Sequence, residues 1–362
     1  MKVLHMTSDL DGGGVDSVLY NYCSRMIPQV QCDFVVSADR EGILEEPLRA
    51  MGAQIFHVAK MRGSLGLRQK QLREILAEGS YTAVHDHSGY KSYFFLNLAR
   101  QMGVKCRIAH AHIANIPEKK IAKFERSLIT PLTKSVSDYL FACGTDAANW
   151  MWGQDALVRN QVTIMPNGID TNKYLFSMKL RLELRASMGL NGKFVVGNVA
   201  RLSEQKNHEF LLEAFAHVIE DCPNAVLVLI GRGELESQLK SKAAELGIER
   251  AVLFLGVRDD VNRLLNIMDV FVLPSKYEGL PVTLVEVQAN GLPAVVSDAV
   301  TKEVKLAENY DVLSLGSGAE KWAKHIIEMN GRRIENVESI VQAYDIDVLA
   351  KKLMKWYLIH EN

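Results

Sequence analysis

The chain has 362 residues, too many for one ordinary hydrophobic core and enough for two domains of ordinary size. Hydrophobic residues make up 48% and charged residues 23%, which describes a soluble globular protein, and 42 basic against 43 acidic side chains leave a net charge of -1. No global field pulls the chain to nucleic acid or membrane, and any such attraction has to be local; no nucleic-acid partner is expected.

The chain opens on an apolar run, Val3–Met6, without a charged-then-apolar leader, and no apolar run approaches the ~20 residues needed to span a bilayer. Cys23, Cys32, Cys106, Cys143 and Cys222 are odd in number, scattered, and form no C-x-x-C pair. Reduced, buried thiols in a cytoplasmic protein are the expectation.

Both halves read as strand, turn and helix, repeated. The first half predicts strands at Val3–Met6, Cys32–Ser37, Gln54–Val58, Ala83–Asp86, Arg107–His110, Tyr139–Cys143 and Val162–Met165. Helical patterns fall between most of them, as at Val15–Met26, Leu67–Glu78, Tyr90–Met102 and Lys119–Lys134. The second half predicts strands at Phe194–Val199, Ala225–Ile230, Ala251–Leu255, Val270–Leu273, Ala294–Ser297 and Val312–Leu315, with helices that include Asn207–Glu220, Glu234–Glu245 and Asp259–Ile267. Such alternation predicts an α/β protein with two Rossmann-like parallel sheets wrapped by helices. A turn-rich stretch at Asn167–Tyr174 divides residues 1–168 from residues 169–342, and Ala343–His360 reads as one long amphipathic helix in a terminal segment, 343–362.

After the first strand, Gly12-Gly13-Gly14 precedes a helix. Three glycines let a phosphate or sugar approach the backbone at a helix N-terminus, although the G-x-G-x-x-G dinucleotide fingerprint is missing. Asp9-Leu-Asp11 has the residue types of a D-x-D metal motif, and His85 and His87, like His110 and His112, share a strand face. Recognisable spacing for a full ligand set is lacking, so no metal is expected. Ser88, Gly89, His110, His112 and Asn115 follow strands at the carboxyl edge of a parallel sheet, where ligands bind. Ser88, Gly89, His110 and Asn115 mark an acceptor side, and His112 is preferred over His110 as the key, catalytic histidine. Lys119, Lys120, Lys123 and Arg126 share one helical face, with Ile121 and Phe124 elsewhere. That face is either solvated or rests on anionic lipid.

In the second half a strand runs through Gly197 into Arg201, and Lys206 precedes a helix. Two fixed cations beside a helix N-terminus suit a diphosphate, and this placement does not suit a surface salt bridge. Pro274–Glu286 follows a buried run, with Pro281 at the first helical position, Glu278 in the turn and Glu286 in the helix. One carboxylate on each side of an anion site fits a nucleotide sugar, with its sugar at Glu278 and its ribose at Glu286; Gly279 and Leu280 lie in the same turn.

Taken together, the glycine loop, Gly-x-x-x-Arg-x-x-x-x-Lys and Glu-x7-Glu resemble retaining glycosyltransferases of the GT-B type, family 4, as found in exopolysaccharide and capsule synthesis. Lys206-Asn207 replaces the commoner Lys-Gly. The resemblance implies two domains facing a cleft and a last helix that returns to the first domain. It places Gly13 and Gly14 beside the donor diphosphate, Gly197 in the cation motif, and His112 on the transferred sugar. Gly231, Arg232 and Val257 are placed near base and ribose. It further implies a metal-independent transferase without a cofactor, with a UDP-sugar favoured over a GDP-sugar and a glycan or polyprenyl-diphosphate-linked sugar as acceptor. A hydrolysing sugar-nucleotide 2-epimerase and a non-enzymatic two-lobed sugar-binding protein are the alternative readings.

Overall fold

The computed structural model describes residues 1–12, 14–37, 40–60, 64–112, 120–278 and 280–360. The chain folds into two compact units, Met1–Ile169 with Tyr344–Asn362, and Asp170–Ala343.

The first unit runs β1 (Lys2–Met6), α1 (Gly14–Met26), β2 (Gln31–Val36), β3 (Ile55–His57), α2 (Leu65–Gly79), β4 (Ala83–Asp86), α3 (Tyr93–Gln101), β5 (Cys106–Ala111), α4 (Lys120–Val136), β6 (Tyr139–Ala142) and β7 (Val162–Ile164). Its sheet is parallel, in the order β3-β2-β1-β4-β5-β6-β7. Side chains alternate between faces, so Leu4, Met6, Val84 and Ala109 enter one core while Val3, Phe34, Ile108 and Phe141 enter the other. Both faces are apolar because helices cover both.

The second unit contains α5 (Met178–Ser187), β8 (Phe194–Val199), α6 (His208–Asp221), β9 (Ala225–Ile230), α7 (Glu236–Glu245), β10 (Val252–Phe254), β11 (Val270–Leu273), α8 (Val282–Ala289), β12 (Ala294–Ser297), β13 (Tyr310–Leu313), α9 (Ala319–Glu328) and α10 (Glu338–Tyr344). Its sheet is also parallel, in the order β10-β9-β8-β11-β12-β13. In both sheets the first strand lies beside the fourth, and the winding reverses between them. Loops leaving those two strands diverge at the carboxyl edge and open a crevice there.

The last predicted strand is displaced by two residues, from Val312–Leu315 to Tyr310–Leu313. The single terminal helix predicted over 343–360 is in fact two. Asp345 leaves the helical conformation and accepts hydrogen bonds from the backbone N–H groups of Asp347 and Val348, which caps a new helix, α11 (Ile346–Ile359). Beside this break Ile169 pairs in parallel with Asp345, so the two strands of chain that join the units run side by side. Ile346, Leu349, Leu353 and Tyr357 of α11 then enter the first unit's core next to α1. Among the described residues no helix is long and apolar enough to cross a membrane.

Candidate active site

In the second unit the loop leaving β8 lies against the loop leaving β9. Leu202 N donates to Arg232 O at 3.2 Å and Leu235 N donates to Leu202 O at 3.2 Å. The Gly-Arg-Gly sequence follows from this approach. A Cβ on Gly231 would stand 2.0 Å from Ala200 O, and one on Gly233 would stand 2.2 Å from Leu202 O. Gly197 has a similar explanation inside β8, where a Cβ would meet the Met268 sulfur at 2.0 Å; close packing accounts for that glycine.

Arg201 projects from this loop with 73% of its side chain exposed and donates to Glu234 Oε2 at 3.1 Å. The surface salt bridge judged unsuitable from sequence is therefore present, because Glu234 is brought up by the Gly-Arg-Gly turn. Such an exposed pair is screened by water and weak, so an incoming anion can replace the carboxylate.

Lys206 precedes Asn207, whose φ of +57° lies in the left-handed region. That conformation explains why glycine and asparagine interchange here, since asparagine tolerates it better than other side-chain-bearing residues. His208 starts α6 and is buried. Its Nε2–H donates to Asn198 Oδ1 at 3.0 Å, while Asn198 Nδ2 donates to Val272 O at 2.7 Å. The helix start is thereby tied to both β8 and β11, on either side of the reversal. Burial, reinforced by Lys206, pushes the His208 pKa down to about 4.

Glu278 arrives on the loop leaving β11 and is only 7% exposed. Lys206 Nζ donates to its Oε1, and Ser275 Oγ donates to the same oxygen at 2.7 Å. Gln205, unnoticed in the sequence, fastens the two loops: its Nε2 donates to Tyr277 O at 2.9 Å and its O accepts from Lys276 N at 2.8 Å. Pro281 is the N-cap of α8, with ψ of 116°, and not its first helical residue. Glu286 sits in the second turn and accepts a hydrogen bond from Tyr174 OH at 2.8 Å. Burial raises the Glu286 pKa, and the tyrosine hydrogen bond opposes that shift. Direct contact thus joins Lys206 to Glu278, while Arg201 and Glu286 meet other partners. Arg232 and Val257 are exposed on the loops leaving β9 and β10, and Leu280 is half-buried after Glu278.

In the first unit Gly12 has φ of +85°, and a Cβ on Gly14 would have open space around it. Asp11 is paired with Arg40. A cavity of about 220 Å³ at the β1/β4 reversal is lined by Lys60, Arg68, Asp86, Ser88 and Lys91 among others. Arg68 is buried and donates to Ser37 Oγ at 2.7 Å, and burial pushes the Asp86 pKa up to about 6. No local spacing flagged Arg68 or Lys60, because they reach the strand ends from elements remote in sequence. Gly89 is buried with φ of +63°, and a Cβ there would meet Met151 Cε at 2.8 Å. His112 is half-exposed, and its Nε2 lies 2.8 Å from His87 Nδ1; His110 is fully buried. Gly13, Asn115, Lys119 and Gly279 lie outside the described residues.

The face expected to be basic on α4 is corrected in two respects. Arg126 turns back, donating to Trp150 O at 2.8 Å and stacking over the Trp150 ring. Apolar side chains are also bare on this helix, with Ile121 82%, Phe124 65% and Leu128 56% exposed.

Two doubly wound parallel units in one chain, one presenting cations and carboxylates at its reversal point, define the GT-B class of glycosyltransferase. The chain belongs to the glycosyl transferases of group 1, whose family model matches residues 181–336. It is 33% identical to the putative glycosyltransferase EpsF of Bacillus subtilis over 90% of this chain and 86% of that one. It is 25% identical to the UDP-Gal:alpha-D-GlcNAc-diphosphoundecaprenol alpha-1,3-galactosyltransferase of Escherichia coli, over 79% of this chain and 78% of that one. Among solved structures, Anabaena HepE in complex with UDP and glucose superimposes with a TM-score of 0.79 at 20% identity, covering 99% of each chain. At that identity the likeness speaks for the fold.

Proposed function

We propose that the protein moves a sugar from a nucleoside-diphosphate donor, a UDP-sugar in preference to a GDP-sugar, to a glycan or polyprenyl-diphosphate-linked acceptor in cell-surface polysaccharide synthesis. Retention of anomeric configuration follows if the acceptor oxygen attacks the anomeric carbon on the face the donor leaves. The carbon–oxygen bond to the β-phosphate breaks as the new glycosidic bond forms, and the acceptor's proton passes to a β-phosphate oxygen.

The contact between Lys206 and Glu278 across the β8/β11 reversal carries this reading. An ammonium has three hydrogens; one on Glu278 leaves two for diphosphate oxygens. Arg201 exchanges Glu234 for the same diphosphate, and the two fixed cations stabilise the leaving group's charge without a metal at that point. Glu278 accepts from sugar hydroxyls, Glu286 from ribose, and His112 meets the transferred sugar. The cationic pocket of Lys60, Arg68 and Lys91 receives a phosphate-bearing acceptor. Helix α4 rests on anionic lipid through Lys120, Lys123 and the bare side chains of Ile121 and Phe124, keeping the protein at the inner membrane face.

The test is incubation with a panel of UDP- and GDP-sugars, with and without lipid-extract acceptors. Acceptor-dependent nucleotide release with a sugar-bearing product supports transfer. Release of free nucleotide with an epimerised sugar and no acceptor requirement contradicts it, as does donor binding without turnover.

A further inference from the structure

Five histidines stand on one face of three adjacent strands: His5 on β1, His85 and His87 on and just after β4, and His110 and His112 on and just after β5. The parallel register sets His5 opposite His85, and the two-residue period of the strands carries the others to the same side. That face is packed by α1 and α11, so His5, His85, His87 and His110 are buried.

Hydrogen bonds arrange these rings in two files. In one, Cys23 Sγ lies 3.8 Å from His5 Nε2, His5 Nδ1 lies 3.2 Å from His87 Nε2, and His87 Nδ1 lies 2.8 Å from His112 Nε2. In the other, Tyr357 OH lies 2.6 Å from His85 Nδ1, and His85 Nε2 lies 3.1 Å from His110 Nδ1. The second file stops there. His110 Nε2 is fully buried with no hydrogen-bond partner among the described residues. A buried ring nitrogen left without a partner is unfavourable, so its placement calls for a ligand.

The unsatisfied nitrogen belongs to a group of three, His87, His110 and His112, whose ligand atoms lie within 4.8 Å of one another. We propose that His87 Nδ1, His110 Nε2 and His112 Nε2 bind one divalent transition-metal ion of the zinc class. Imidazole nitrogens select zinc, cobalt, nickel or copper over the hard, oxygen-seeking magnesium and calcium. Zinc–nitrogen bonds of ~2.0–2.1 Å place tetrahedral ligand nitrogens about 3.4 Å apart, within the 4.8 Å that spans the present cluster.

The second nitrogen of each inner ligand is already held, His87 Nε2 by His5 and His110 Nδ1 by His85. Outer partners of this kind fix ring orientation and tautomer in metal sites. No net proton leaves, but the hydrogen between His87 Nδ1 and His112 Nε2 must move to His112 Nδ1. His87 keeps its hydrogen on Nε2 and donates to His5; His110 keeps its own on Nδ1 and donates to His85, which in turn donates to the Tyr357 oxygen. Two other groups among the described residues, His5 with His85 and His87, and His5 with Cys23 and Cys32, are less suited, because neither contains the orphaned His110 nitrogen. His112 is the half-exposed ligand, and metal on its Nε2 leaves its hydrogen on Nδ1 as a fixed donor. For that last role alone the inference rests on the placement of His112 beside the substrate.

The experiment uses the full chain stripped with chelator and titrated with Co²⁺ and Zn²⁺. One Co²⁺ per chain with tetrahedral visible absorption, displaced by Zn²⁺ and accompanied by a higher melting temperature, is expected. His112→Ala and His110→Ala should each weaken binding by on the order of 100-fold, and His217→Ala, at an exposed histidine of α6, should not. If His110→Ala fails to fold, His112→Ala decides. Absence of saturable binding by the unaltered chain overturns the proposal, as does binding that survives His112→Ala. These readouts do not involve sugar transfer, so failure here and failure of the transferase reading remain separate.

Discussion

Tyr174 donates its phenolic hydrogen to Glu286 Oε1 at 2.8 Å, joining a short helical turn at the start of the second unit to the helix after β11. The glutamate assigned to ribose is therefore aimed by a tyrosine from more than a hundred residues earlier in the chain. A hydrogen bond to a charged group contributes about 1.5–3 kcal/mol. Tyr174→Phe should raise the KM for donor roughly tenfold or more while changing kcat less, because the ribose is not the reacting centre. Steady-state kinetics against donor concentration would check this, and an unchanged KM would count against the ribose assignment.

The buried contact between Lys206 and Glu278 should be strongly coupled. Removing one partner of such a pair leaves an uncompensated charge and costs about 3–5 kcal/mol. Lys206→Ala should destabilise the second unit more than the Lys206→Ala/Glu278→Ala double variant does. Denaturant unfolding of the four proteins gives the coupling energy directly, and additive losses would mean that the pair is not formed in solution.

Arg201 and Glu234 should behave in the opposite way. Their bridge is exposed, so Glu234→Ala should leave the unfolding midpoint almost unchanged. By freeing the guanidinium it should tighten binding of a nucleoside diphosphate several-fold, more at low salt than at high salt. Calorimetric titration with UDP tests this.

His208 gives the second unit an acid-side dependence. Its pKa is depressed from 6.5 to about 4 in the folded chain, so the unfolded state binds the extra proton between those values. Stability from this group is complete above pH ~6.5, falls as pH drops, and is lost by pH ~4, about 3 kcal/mol in all. Other buried histidines slope the same way, so the quantity to measure is the difference in pH profile between the native chain and His208→Gln. Identical slopes in the two proteins would contradict the assignment.

On α4, Phe124→Ser together with Lys123→Ser should reduce sedimentation with vesicles rich in anionic lipid and leave turnover of a soluble acceptor unaffected. Each lysine near such a surface contributes ~1 kcal/mol. Equal sedimentation of variant and native chain would remove α4 as the contact.

Strands such as Ala225–Ile230 and Val270–Leu273 could be read from the sequence to the residue, because a strand covered on both faces is an uninterrupted apolar run with polar turns at its ends. The cation motif and Glu278 could be read too, since parallel strands deliver whatever follows them to one edge. Partners from remote elements could not: Tyr174, Gln205 and Arg68 reach the strand ends only through the tertiary fold. Asp345 is a different case. Its local signal, an N-capping residue before an apolar position, was present but masked by amphipathic periodicity that continues through the break. The Arg201–Glu234 bridge depends on two loops approaching within backbone contact, which glycines at 231 and 233 permit.

The most direct test of the central claim is turnover by Lys206→Ala with the donor and acceptor that the native chain uses. Loss of a fixed cation at the departing diphosphate should lower kcat by ~10²–10³ in a folded protein. A folded Lys206→Ala protein that transfers sugar at the native rate would contradict the account.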